Sequence, residues 1–185
     1  EFKEMILDEN KKINWISQHT EELARDRHII DCAQIIELID ENHLSCTDLG
    51  SGSGLPGLVI AIIKKKQKSK MKFFLYEKSF KKSNFLKKVI NKFELNAEVI
   101  NQNIFDKKKL NSDLIVARAF KPLPVILHLV TKNFDDFKDI ILFLGKSGKS
   151  SIEQCLQNWN LEFIEKKSVT EKDSIIIKIN KVSRK

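Results

Sequence analysis

The sequence predicts an α/β fold whose sheet is mostly parallel and closes on an antiparallel hairpin at the carboxyl end. Three observations carry that expectation. Short apolar runs of strand length alternate with segments of helical period along the chain, and no repeat or linker interrupts them. One run, Ser112-Asp-Leu-Ile-Val-Ala-Arg118, is continuously apolar at its centre, as strands buried on both faces of a parallel sheet are. Four of the six glycines fall in one ten-residue stretch, Asp48-Leu-Gly-Ser-Gly-Ser-Gly-Leu-Pro-Gly57, between a strand-like run and a helix-like one.

In chain order, residues 1–17 read as a helix with Phe2, Met5, Ile6, Ile13, Trp15 and Ile16 available to pack inward. Thr20-Glu-Glu22 reads as an N-cap followed by acids. The helix it opens runs through Arg25-Asp-Arg-His-Ile-Ile-Asp31 to about residue 42, with an apolar stripe of Leu23, Ile29, Ile30, Ala33, Ile35, Ile36 and Ile39. Strand 44–49 precedes the glycine stretch, and Leu58-Val-Ile-Ala-Ile-Ile63 follows it as a buried helix face, with Pro56 near the first turn where its missing N–H costs nothing. Lys64-Lys-Lys-Gln-Lys-Ser-Lys70 is a basic, solvated connection to strand 71–77. Helix 79–93 turns Phe80, Phe85, Leu86, Val89 and Ile90 inward. Strand 97–100 leads to Asn101-Gln-Asn-Ile-Phe-Asp106, and strand 112–118 to Arg118-Ala-Phe-Lys-Pro-Leu-Pro124. Helix 125–137, strand 139–144 with Gly145-Lys146, helix 150–158 and strands 161–168 and 173–181 complete the chain.

The 185 residues suit one compact domain. No apolar run approaches the roughly 18–20 residues of a membrane span, and no secretory signal is visible, so a cytoplasmic protein without membrane contact is expected. Cys32, Cys46 and Cys155 are odd in number and widely spaced, which fits buried free thiols and neither a disulfide framework nor a metal site. The net charge of +8 suits a polyanionic partner. Of the 33 basic residues 29 are lysine, a skew that fits an AT-rich genome and makes each arginine informative. Arg25, Arg27 and Arg118 are candidates for planar, bidentate recognition.

The glycine stretch is built to hold a nucleotide-like ligand, because glycines admit close backbone approach and a helix N-terminus presents free N–H groups. Two registers compete. Gly52-x-Gly54-x-x-Gly57 with Glu77 matches a dinucleotide fingerprint. Asp48-x-Gly50-x-Gly52-x-Gly54 matches the glycine turn of S-adenosylmethionine (SAM) methyltransferases, with Glu77 placed for both ribose hydroxyls. The second register uses Asp48 and Pro56, which the first leaves unexplained, so SAM is the expected cofactor. An NAD-dependent oxidoreductase and a non-catalytic RNA-binding protein are the alternatives.

Taken together, these stretches resemble the ribosomal RNA small subunit methyltransferase G family, also called glucose-inhibited division protein B. The matching segments are Trp15-Ile-Ser17, Arg27-His-Ile-Ile-Asp31, Asp48 to Gly57, Glu77 with Lys81-Lys82 and Phe85-Leu86, Ala117-Arg-Ala-Phe120, Phe143-Leu-Gly-Lys146 and Ile175-Ile-Ile-Lys-Ile179. The chain departs from the family in having Glu77 for the usual Asp, Lys78-Ser79 for Ser-Leu, and Lys81-Lys82 for Lys-Arg. The resemblance implies a class I SAM-dependent methyltransferase core over 44–185 with an N-terminal helical cap over 1–43. It implies methylation of guanine N7 in the 530 loop of 16S rRNA, with 16S rRNA or the 30S subunit as partner and a monomeric enzyme. By the same resemblance Asp48, Gly50, Ser51, Gly52, Gly54, Leu55, Glu77, Asn103, Ile104, Phe105 and Arg118 bind the cofactor, and Arg118 also orients the substrate. Arg27, His28, Lys81, Lys82, Lys121 and Lys146 are its RNA-contact candidates. No general base is expected, since N7 carries a lone pair and no proton.

Overall fold

The computed structural model describes residues 1–13 and 25–185, and side chains outside 10–27. The expected features at Trp15-Ile-Ser17 and Thr20-Glu-Glu22, and the side chains of Arg25 and Arg27, therefore lie outside the described residues.

Seven strands form one sheet in the order β3-β2-β1-β4-β5-β7-β6. They are β1 Ser45–Leu49, β2 Lys72–Tyr76, β3 Ala97–Ile100, β4 Leu110–Arg118, β5 Phe134–Leu144, β6 Trp159–Lys167 and β7 Ile175–Arg184. The first five pair in parallel, and β7 enters antiparallel between β5 and β6. The helices are α1 Phe2–Ile13, α2 Asp31–Ala33, α3 Gly57–Lys66, α4 Phe80–Phe93, α5 Leu123–Asn133 and α6 Gly148–Leu156. The two-residue side-chain period of a strand explains how they divide. In β4, Leu114 and Val116 join the core that α1, α3 and α4 cover, while Ile115 and Ala117 join the one beneath α5 and α6. Chain order reverses between β1 and β4, which opens a crevice at the carboxyl ends of those strands.

The helix expected over 20–42 is not continuous. A π-helical turn, Arg25–Ile30, runs into α2, and a separate 3₁₀ turn covers Ile36–Leu38. Helical period alone cannot register that Asp31 and Gln34 are drawn towards Arg118, Ser168 and Val169, partners 87 to 137 residues away. The helix expected over 125–137 ends at Asn133, and β5 begins at Phe134, paired with Leu110. There the buried Asn133 amide donates to the carbonyls of Ile104, Phe105 and Lys107, which fixes the end of α5. Phe80, expected to face inward, is 67% exposed. It is the first residue of α4 after the Ser79 cap, and Ser83 takes the inward position, its hydroxyl donating to the Glu77 carbonyl. All three cysteines are buried free thiols.

At the opposite, amino-terminal edge, His43 is 3% exposed and its Nε2 lies 3.0 Å from Asp139 Oδ2, which also accepts from Lys178 Nζ at 2.8 Å. Lys178 donates in turn to the Leu38 carbonyl, tying the segment before β1 to the sheet. Burial outweighs the Asp139 charge and holds the His43 pKa below its ordinary 6.5. The unfolded chain then binds a proton that the native imidazole refuses, so stability falls as pH drops below 6.5 towards the native value. We expect the urea midpoint of the wild type to fall more between pH 8 and pH 5.5 than that of His43→Gln. Asp139→Ala, which strands two partners, should cost about 3 kcal/mol at pH 8.

Candidate functional site

The site begins at Asp48, the fourth residue of β1. Its side chain is buried, and Oδ2 accepts the Gly57 N–H at 3.1 Å, closing the glycine turn onto the first residue of α3. Gly57 is required by that closure: a Cβ there would stand 2.5 Å from Asp48 Oδ2 and 2.6 Å from Leu75. Gly52 has the opposite surroundings. Its φ is +57°, and a Cβ would meet nothing nearer than the Gly50 carbonyl at 3.8 Å, so this face of the turn is open to a ligand. Ser51 and Leu55 are buried in the turn, and the Ser51 N–H reaches the Tyr76 carbonyl at 2.9 Å, joining the turn to β2.

Glu77 follows β2 and is 7% exposed. Its Oε2 accepts the Gly52 N–H at 3.0 Å and its Oε1 the Ser79 N–H at 2.7 Å. Ser83 and Asn101 hold its backbone carbonyl at 3.0 and 2.8 Å. Each carboxylate oxygen is thus oriented by one backbone donor and keeps acceptor capacity for a vicinal diol. Asn103 caps the turn Ile104–Asp106 through the Phe105 N–H at 3.3 Å. Ile104 is buried, and the exposed Phe105 stacks on Phe120 with ring centroids 6.0 Å apart. Phe120 lies over Gly50, where a Cβ would come within 2.3 Å of the ring.

The Asp48 oxygen Oδ1 is buried and has no hydrogen-bond partner. Burial pushes the Asp48 pKa up to about 7, with Glu77 adding to the rise and Ser51 and Gly57 opposing it. An unmatched buried carboxylate oxygen beside a second carboxylate fits a cationic ligand. The set of Asp48, Glu77, glycine backbone and apolar Ile104-Phe105 suits an adenosyl group joined to a sulfonium. Among the described residues no cluster of His, Cys, Asp and Glu is arranged to hold a metal.

Arg118, the last residue of β4, stands across the crevice. Its Nε donates to Asp31 Oδ2 at 3.1 Å, and Nη2 lies 3.1 Å from His28 Nδ1. A guanidinium can only donate, so Nδ1 is the acceptor. Lys81, Lys121 and Lys146 are exposed and Lys82 is half-buried, on the segments that leave β2, β4 and β5 at this same edge. Sequence reasoning missed Asn101, Phe120, Asn133 and the part played by Asp31. Phe120 and Asp31 did stand in motifs the resemblance used; Asn133 left no local signal, because its partners lie 26 to 29 residues away. A cavity of about 980 Å³ at the strands' amino-terminal edge shares no residue with this site.

Comparison with known proteins bears on the family and the fold. Residues 1–178 match the family model described as rRNA small subunit methyltransferase G. A ribosomal RNA small subunit methyltransferase G of Pelagibacter ubique (strain HTCC1062) is 50% identical over 186 residues, covering 100% of this chain and 87% of the relative. Among solved structures, M. capricolum TrmK in complex with S-adenosyl-homocysteine superposes with a TM-score of 0.60 at 19% identity, over 81% of this chain and 67% of that one. A mutant of MtNAS in complex with S-adenosylmethionine gives 0.63 at 12% identity, over 96% and 72%. At these identities the two structures speak for the fold alone, and they agree on it.

The raised Asp48 pKa has a stability consequence. Between pH 4 and 7 the native carboxyl keeps a proton that the unfolded one has lost, so its contribution becomes less favourable as pH rises through that window. We expect Asp48→Asn to be more stable than wild type at pH 8, by up to about 4 kcal/mol, with the gain shrinking by pH 4. Urea denaturation at the two pH values measures both.

Proposed function

Because the chain belongs to the rRNA small subunit methyltransferase G family, we propose that it methylates N7 of a guanine in the 530 loop of 16S rRNA. The protein is a SAM-dependent methyltransferase with the class I fold. When bound, SAM supplies a methyl group on a positively charged sulfur that departs with the bonding pair. Guanine N7 offers a lone pair and carries no proton, so no side chain need act as general base. The protein's task is orientation and exclusion of water, and orientation alone is worth roughly 7–11 kcal/mol in favourable cases.

The observation that carries this reading is the pair of carboxylates locked to the glycine turn, Asp48 through Gly57 and Glu77 through Gly52. Glu77 takes the ribose hydroxyls, Asp48 and the turn at Gly50–Gly54 the methionine end, and Ile104-Phe105 the adenine. Leu55, Ser51 and Asn103 shape those surfaces. Arg118 keeps N–H donors beyond the two committed to Asp31 and His28, and these reach guanine O6. Lys81, Lys82, Lys121 and Lys146 contact phosphates, and α1 with the segment 28–43 caps the core. The partner is 16S rRNA, naked or within the 30S subunit, met by a monomer in the cytoplasm.

Two measurements test this. Glu77→Ala should weaken SAM binding in calorimetry by about 1–3 kcal/mol and also lower the urea midpoint, because the Gly52 and Ser79 N–H groups lose their acceptor. Normal SAM affinity in that variant would remove Glu77 from the site. Arg118→Lys retains the charge but not the fork that spans Asp31 and His28. It should stay folded and lose at least about tenfold in N7 methylation, read by chain cleavage at the modified base. Wild-type activity there would make Arg118 scaffold.

A further inference from the structure

The carboxyl edge has a second half. Cofactor residues occupy the β3-β2-β1 side of the crevice, while on the other side the ends of β4, β5 and β7 surround a cavity of about 360 Å³. Its wall includes His28, Arg118, Phe143, Ser168, Thr170 and Glu171. Three of these six come from the tip of the β6–β7 hairpin. That tip is folded by the Ser168 N–H on the Ser174 carbonyl at 3.0 Å and the Ser174 N–H on the Glu171 carbonyl at 3.1 Å.

One buried carboxylate positions both polar walls. Asp31, 7% exposed, accepts through Oδ1 from Ser168 Oγ at 2.8 Å, Thr170 Oγ1 at 3.0 Å and Gln34 Nε2 at 2.7 Å. Its Oδ2 accepts from Arg118 Nε. Gln34 completes the tie by accepting the Val169 N–H at 3.0 Å. The hairpin tip and Arg118 are therefore set against each other at a fixed spacing. The volume lies within the range of pockets that enclose a small planar ligand.

The polarity of the walls selects among bases. Arg118, on the strand next to β1, is a pure donor; the Glu171 carboxylate, on the hairpin tip and flanked by the Thr170 hydroxyl, offers acceptor oxygens. A guanine with N7 towards the cofactor presents O6, an acceptor, beside Arg118. Its N1–H and N2 amino group, both donors, then face the hairpin tip. Adenine reverses this, with an amino donor at position 6 and an acceptor at N1. We propose that this cavity receives the target guanine, and that Glu171, assisted by Thr170, reads its N1–H and N2-amino edge; the proposal rests on the N7 reaction assigned above.

The same placement bears on rate. As the N7 lone pair becomes the new N–CH₃ bond, the base loses no proton and the purine takes up positive charge. Its N1–H and N2–H groups then become stronger donors, so their bonds to Glu171 strengthen on the way to the transition state. Glu171 should therefore raise kcat more than it lowers KM. Asp31 acts as a positioning residue for both walls.

Glu171→Gln tests this, because Glu171 is exposed and the change is isosteric. SAM affinity by calorimetry should stay within about twofold of wild type, since Glu171 lies on the β6–β7 hairpin, across the sheet from Asp48 and Glu77 at the ends of β1 and β2. Transfer to 16S rRNA should fall ~10–100-fold in kcat with little change in KM. With inosine, which lacks the N2 amino group, at the acceptor position, the wild type should slow and Glu171→Gln should lose its preference for guanine. Thr170→Val should show the same pattern more weakly. Wild-type kcat in Glu171→Gln, or a wild type that methylates guanine and inosine equally, would overturn the assignment. A wild type that binds SAM yet leaves guanine N7 unmodified would overturn the reaction assigned above, and this pocket with it.

Discussion

The hydrogen bond from the Gly57 N–H to the Asp48 carboxylate sets the geometry of the β3-β2-β1 half of the carboxyl edge. It joins the end of β1 to the start of α3, so the glycines between them form a loop of fixed span. The loop's outer face at Gly52 then lies where Glu77 can accept its N–H, which brings the end of β2 into the same surface. Ser51 adds the Tyr76 carbonyl to that junction. Two strands, one turn and one helix are thereby held in register by backbone donors and two carboxylates. A small shift of Asp48 would displace the open Gly52 face and the Glu77 carboxylate together. Placing that carboxylate in the interior costs stability, visible in its raised pKa, and a cationic cofactor is the kind of ligand that offsets it.

A second carboxylate does for the β4-β5-β7 half what Asp48 does for the other. Asp31 gathers Arg118, the hairpin tip and Gln34, elements far apart in the chain. This gives a physical reason for arginine at position 118 in a chain that otherwise favours lysine. An ammonium is a point charge and could satisfy one partner well. The guanidinium plane spans Asp31 Oδ2 and His28 Nδ1 simultaneously.

Much of this was legible in the sequence because it is encoded locally. The glycine turn, the strand pattern and the closing hairpin depend on residues close to one another, and β3 matches its expected span, 97–100. Glu77 was legible as an acid about twenty residues beyond a glycine turn. What was not legible rests on distant partners. The break in the 20–42 helix follows from contacts to Ser168 and Thr170, and the early end of α5 from Asn133 reaching back to the turn after β3. Phe80 was misjudged because apolarity was read as burial, although the inward stripe of α4 passes through Ser83 instead.

The distribution of charge closes the physical picture. A protein with net charge +8 is drawn to a polyanion over its whole surface, and lysines on the segments leaving β2, β4 and β5 bring that attraction to the carboxyl edge. Within the edge carboxylates gather: Asp48 and Glu77 on one half of the crevice, Asp31 and Glu171 on the other. The long-range field therefore recruits RNA, while the short-range field favours a cationic cofactor and a base that becomes cationic. With a sulfonium seated beside them, Asp48 and Glu77 would attract it more strongly than the neutral thioether that remains after transfer, so the same carboxylates would favour substrate over product without moving. Burial makes that discrimination count, because Asp48 and Glu77 act with little screening by water.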